Sequence, residues 1–271
     1  MKQPKEKNQK HPFHIVSRSP WPILVSFSVL FTVIGFVGYC HTIKNSLLLF
    51  FSGLVLLLSG LCCWWRDVIR EATFEGKHTK AVQRGIYIGM ILFIISEAMF
   101  FFAFFWAFFS SAINPVPQIG GVWPPAGLTP INPLGLPLLN TFILLTSGAT
   151  VTCCHHSIVG GLRKRALLSL FSTVCLGMLF TGFQYVEYLR APFSISDGIY
   201  GSIFYMLTGF HGFHVIVGTI FLIVGLIRLY HGHFSQKRHI GFETAAWYWH
   251  FVDVVWIIVY LTFYCWGGPV S

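Results

Sequence analysis

One carboxylate stands where a carboxylate is expensive. In Met90–Phe109, MILFIISEAMFFFAFFWAFF, Glu97 is flanked only by apolar and aromatic residues and one serine. An ionised acid at membrane depth costs several kcal/mol, so such a residue marks a functional position by default. Its helical neighbours at i±3 and i±4 are Phe93, Ile94, Phe100 and Phe101, and none can pair with it. A neutral carboxyl is therefore expected, its polar partner coming from another helix or a bound lipid. The chemistry open to such a group is proton exchange away from water.

Further constellations invite chemistry. His211 and His214, three apart in TGFHGFHV, share one helical face and could hold a metal or a haem. Haem or copper chemistry needs further ligands, and no matching His pair occurs at depth in another span; His155 and His156 are adjacent and lie at a span end. Hydrogen bonding between helices is the better reading, and Gly209, Gly212 and Gly218 point to close packing there. His250 and Asp253, three apart in WYWHFVDVVW, read as a structural pair before a proton relay. The run Trp64, Trp65, Arg66, Asp67, Arg70, Glu71 reads as interfacial anchoring. A phospholipid headgroup site is the sharper alternative, because guanidinium groups suit phosphate and indole suits the carbonyl layer. His78 follows in the same region, and His11, His14, His155, His156, His231, His233 and His239 lie on the same side, either as solvated surface groups or as collectors of protons.

The elements that must position these residues follow from composition. The 271-residue chain is 55% hydrophobic and 10% charged, which fits an integral membrane protein and not a water-soluble globule. Seven apolar stretches can be drawn: Trp21–Tyr39, Ser46–Trp65, Gly85–Ser110, Leu136–His156, Ala166–Tyr188, Tyr200–Ile227 and Ala245–Trp266. Each is long enough for a helix to cross about 30 Å of hydrocarbon, and runs apolar on all sides exclude a barrel. The net charge of +9 reflects topology more than nucleic-acid binding. Lys2, Lys5, Lys7, Lys10, Arg18, Arg66, Arg70, Lys77, Lys80, Arg84, Arg163, Lys164, Arg165, Arg228, Lys237 and Arg238 fall on one face, against Lys44 and Arg190 on the other. That asymmetry places the N-terminus on the basic side of an odd number of spans.

The remaining punctuation is consistent. Asn114–Pro137 carries seven prolines and no Lys or Arg, so an ordered, non-helical cover is expected there. The seven cysteines lack CxxC spacing and read as small buried core residues, and the first apolar run is long enough to span rather than to be a cleaved signal. The expected organisation is one membrane domain over 1–271: a basic tail at 1–20, a two-helix bundle at 21–65, a loop at 66–84 and a five-helix bundle at 85–271.

Several segments together resemble subunit III of the haem–copper cytochrome c oxidases in its mitochondrial form. They are SPWP at 19–22, WWRDVIREATFEGKHT at 64–79, MILFIISEAMFF at 90–101, NPLGLPLLNT at 132–141, HHS at 155–157, APFSISDGIYGS at 191–202, TGFHGFHVI at 208–216 and AAWYWHFVDVVW at 245–256. The resemblance implies seven transmembrane helices split two plus five around a V-shaped cleft filled with phospholipid. It implies a multi-pass protein of the mitochondrial inner membrane, with the N-terminus in the matrix and the C-terminus in the intermembrane space. Glu97 then corresponds to the family's buried carboxylate in the cleft, and Trp65, Arg70, Glu71, His78, Glu97 itself and Arg228 to lipid-contacting positions. The resemblance also implies a subunit with no catalytic centre or metal of its own, haem a and copper residing in partner subunits. Its partners would be subunit I above all, subunit II and accessory subunits. Its work would be stability, lipid binding, proton uptake and protection of the dioxygen-reducing subunit. A free-standing proton or ion transporter using Glu97 is the rival, set back by the absence of an internal repeat.

Overall fold

The computed structural model describes residues 11–268. Residues 1–10 of the expected basic tail and the last three residues of the C-terminus lie outside the described residues. Among the described residues seven helices are long and apolar enough to cross a membrane: α1 Trp21–Cys40, α2 Ser46–Thr73, α3 Lys80–Ile113, α4 Leu136–Val159, α5 Arg163–Arg190, α6 Gly198–Tyr230 and α7 Ile240–Val259. A π-helical turn, Tyr260–Trp266, prolongs α7. No β-sheet occurs among the described residues.

Local chemistry sets the ends. Pro137 sits in the first turn of α4, where its missing N–H costs nothing. Gly161 turns the chain between α4 and α5 at φ 73°, a left-handed conformation that glycine adopts without a Cβ clash. α5 stops at Arg190 because Ala191 precedes Pro192 and is held extended, at φ −60° and ψ 130°. Between α3 and α4 the proline-rich segment is irregular, with a short 3₁₀ turn at Pro117–Ile119. Its Trp123 packs against Phe108 and Tyr200, with ring centroids 5.7 and 5.4 Å away, so the segment is the ordered cover expected from its prolines.

Several helices overrun the apolar stretches. The segment 66–84, expected as a loop, is helical up to Thr73 and again from Lys80, leaving only 74–79 between helices. Hydropathy marks hydrocarbon, whereas backbone hydrogen bonds continue into polar turns beyond it. The 34 residues of α3 span about 51 Å, well past about 30 Å of hydrocarbon.

The chain divides into two compact units, Met1–Ile86 and Tyr87–Ser271. In the first, α1 packs on α2. The buried residues are all small: Ser28, Gly35 and Gly38 on α1, and Ser46, Gly53 and Gly60, seven apart, on α2. A Cβ at Gly53 would stand 2.6 Å from the Thr32 backbone nitrogen, and one at Gly35 would strike the Phe50 backbone. Small residues thus let the two backbones approach, the usual source of helix attraction in lipid.

In the second unit α4 packs on α5, α5 on α6, α6 on α7, and α7 returns to α4, closing a ring of four helices. Its centre holds large rings. Trp249 and Trp256 of α7 are buried, and their indole N–H groups donate to Ser147 and Thr141 of α4 at 2.9 and 3.0 Å. Gly218 of α6 faces the Trp249 ring so closely that a Cβ would lie 2.9 Å away, while Gly212 meets nothing and Gly209 only the Tyr188 hydroxyl. The tight packing expected around 209–218 is thus confined to Gly218. α3 stands off the ring and touches it through aromatic side chains, Phe93 on Tyr248, Phe100 on Phe210 and Phe108 on Phe263. Of the seven cysteines only Cys154 is buried; Cys40, Cys62 and Cys265 are exposed. The expectation of buried cysteines fails because these lie on helix faces that no neighbour covers.

Candidate functional site

Glu97 does not stand alone. Its Oε2 lies 2.8 Å from Nε2 of His214, 117 residues away on α6. The other nitrogen of that ring, Nδ1, is 2.7 Å from the Phe210 carbonyl oxygen. A carbonyl only accepts, so Nδ1 carries a hydrogen and a neutral ring keeps just a lone pair at Nε2. The contact with Glu97 therefore needs one further proton, on the carboxyl or on the ring. Phe101 lies edge-on to the imidazole with centroids 5.0 Å apart, and Tyr248 stacks beside it at 6.2 Å. The side chain of Glu97 retains 23% exposure against 7% for His214, so the pair opens on the carboxyl side. The partner comes from another helix, one of the two sources expected.

His211 and His214 share a face of α6 but not a task. His211 is buried and its Nε2–H donates to the Val252 carbonyl of α7 at 3.2 Å, between the rings of Trp256 and Phe180. One imidazole thus turns to α7 and the other to α3, which fits hydrogen bonding between helices and leaves no shared metal position. His250 Nδ1 lies 3.6 Å from Asp253 Oδ2, an i,i+3 contact on α7, and His250 Nε2 lies 3.3 Å from Thr152 Oγ1 on α4. Asp253 is pressed to the α4 backbone at Gly148, where a Cβ would stand 2.6 Å from Oδ2.

One buried acid escaped the sequence reading. Glu187 of α5 is 2% exposed. Its Oε1 accepts from Tyr264 at 2.5 Å and from Gln184 at 3.3 Å. The signal was available as Gln184 and Glu187 on one helical face, near the end of the apolar stretch Ala166–Tyr188. The π-helical turn that carries Tyr264 has no simple sequence signature.

The residues expected to contact lipid are divided between the units. In the first, Trp21 Nε1 donates to Asp67 Oδ2 at 2.6 Å, and Arg66 clamps Oδ1 of the same carboxylate at 2.9 and 3.0 Å. Trp65 and the Arg70 side chain are exposed, with Arg70 Nε 3.4 Å from Glu75. Glu71 turns instead to His14, at 4.0 Å, and His78 belongs to the same group. Lys77 Nζ lies 2.8 Å from Glu75, and this hydrogen bond holds the Glu75 carboxyl below the usual carboxylate range. In the second unit Arg228 is half-buried with its guanidinium 4.6 Å over the Phe234 ring.

Fold and site together define a multi-pass, all-helical membrane protein with a carboxyl and an imidazole joined between two of its helices. Residues 11–268 match the family model described as cytochrome c oxidase subunit III. A protein named cytochrome c oxidase subunit 3 from Pylaiella littoralis is 57% identical over 271 residues, covering all of both chains. Its namesake from Marchantia polymorpha is 57% identical over 261 residues, 96% of this chain and 98% of that one. Another from Paracentrotus lividus is 55% identical over 259 residues, 96% and 98% of the two chains. This chain belongs to the cytochrome c oxidase subunit III family.

Proposed function

We propose that the chain is a non-redox core subunit of cytochrome c oxidase in the mitochondrial inner membrane. It lies with its N-terminus in the matrix and its C-terminus in the intermembrane space, packed chiefly on subunit I and bordered by subunit II and accessory subunits. Haem a and copper are held by those partners. The observation that carries this reading is the end-to-end match to subunit 3 relatives, both chains covered in full in the Pylaiella case. The commitment of His211 and His214 to protein partners supports it further, because no open pair of imidazoles remains on α6 for a redox metal. Exposed Trp65 and Arg70, and Arg228 over Phe234, serve as lipid contacts, with Glu71 and His78 positioning the first group; Glu97 with His214 is the intramembrane group tuned for the neighbouring subunit.

The test compares the purified oxidase with and without this chain, and with Glu97→Gln. Faster loss of activity during sustained turnover and slower proton uptake in the depleted enzyme are expected, with dioxygen chemistry itself retained. Unchanged turnover lifetime and unchanged proton uptake would remove the supporting role. Proton flux by the chain alone in liposomes, abolished in Glu97→Gln, would favour the transporter reading instead.

A further inference from the structure

Away from the Glu97 pair, three potential ligand atoms converge on the side of the second unit where sequence places the basic loops. His155 ends the membrane run of α4, His239 precedes α7, and Glu243 lies in the first turn of α7. His239 Nε2 is 2.8 Å from Glu243 Oε1, and His155 Nε2 is 3.7 Å from the same oxygen. The three ligand atoms all lie within 4.8 Å of one another. Zinc holds N and O ligands at about 2.0–2.2 Å, so tetrahedral neighbours stand about 3.3 Å apart. The observed spacings bracket that value, and small side-chain rotations satisfy it.

The surroundings are those of a ligand set. His239 Nδ1 lies 3.0 Å from the Ser235 carbonyl, so Nδ1 carries the hydrogen and the Nε2 lone pair points at Glu243. Two acceptors this close repel unless a proton or a cation joins them. The Tyr87 hydroxyl donates to Glu243 Oε2, which orients the carboxylate and leaves Oε1 for the ion. His155 is 41% exposed while His239 is 7% exposed, so one side of the set is fixed and the other opens to solvent. The comparable group of His14, Glu71 and His78 has a longer His14–Glu71 separation, 4.0 Å.

We propose that His155, His239 and Glu243 form a binding site for a divalent transition-metal ion of the zinc type, with solvent as its fourth ligand. The two imidazoles and one carboxylate are the donor set zinc uses when a coordination position stays open. The ion ties the end of α4 to the start of α7 and, through Tyr87, steadies α3. This departs from the expectation of a metal-free chain, and it does not depend on the oxidase assignment, since every ligand belongs to this chain.

The experiment uses the purified complex containing the chain, equilibrated with zinc chloride at micromolar concentration. In the unaltered complex, anomalous scattering at the zinc edge is expected between His155, His239 and Glu243. After removal of free metal, elemental analysis is expected to find one zinc fewer per complex in His155→Ala than in the unaltered complex or in His156→Ala. Tyr87→Phe is expected to weaken retention about 10-fold, as loss of an outer partner does. Because the His155 ring is partly exposed, its removal spares the core, and the anomalous signal is read on the unaltered protein. No signal at these residues, or equal zinc content in His155→Ala and the unaltered complex, would overturn the proposal.

Discussion

The two units solve the same problem, helix association in lipid, with opposite materials. α1 and α2 bury 17% and 11% of their most apolar windows, whereas α4 to α7 bury between 33% and 44% of theirs. The first unit relies on absent side chains, glycines and serines that let backbones touch. The second relies on the largest side chains, phenyls and indoles, and the indole N–H groups find hydroxyls on α4. Lipid tails are as apolar as leucine, so neither can rely on a hydrophobic drive between helices. Close approach is insensitive to polar detail; an aromatic core admits polar groups between its rings. Hence Glu97, Glu187, His211 and His214 all reside in the second unit.

The comparison breaks most visibly at Trp249. Trp249→Ala empties the centre of the ring and is expected to cost about 3–5 kcal/mol, seen as faster amide hydrogen exchange through α4–α7 with α1 and α2 unaffected. Gly53→Val tests the other material and is expected to cost about 1–3 kcal/mol through overpacking. Exchange should then rise in α1 and α2 alone; spread into α4–α7 would contradict independent cores. His214→Phe keeps the ring volume and strands Glu97, at about 1–3 kcal/mol, while Glu97→Gln, whose amide can still donate to Nε2, is expected to cost less. Equal losses in these two variants, by thermal unfolding in detergent, would mean that the hydrogen bond contributes nothing. The smallest effect belongs to the surface. Lys77 holds the Glu75 carboxyl below its ordinary range, so what the contact contributes is present above that range and lost as pH falls through the lowered value. In Lys77→Met the acid dependence of exchange at residues 74–79 should move up toward an ordinary carboxylate.

Sequence made the seven spans legible because hydrocarbon imposes one requirement on every residue of a span. It did not make their lengths legible, since nothing apolar marks where Arg66–Thr73 stays helical. Glu97 was legible as an anomaly, and so was the need for a polar partner, on another helix or from a bound lipid. Its identity was not, because His214 is 117 residues distant and read more naturally with His211. Glu187 and Glu243 were missed for one reason: each lies near a span end, where an acid is unremarkable until the neighbouring helix covers it.

The hydrogen bond from His214 Nδ1 to Phe210 fixes the arithmetic of the Glu97 pair. With one shared proton the two groups sum to zero charge, whether the proton rests on oxygen or on nitrogen; shifting it alters only a dipole. Adding a proton would leave the pair at plus one, and removing it at minus one, within an aromatic enclosure. A membrane penalises net charge far more than a dipole. The pair is thus a two-position arrangement of constant charge, in which one proton lies at either end of a single hydrogen bond.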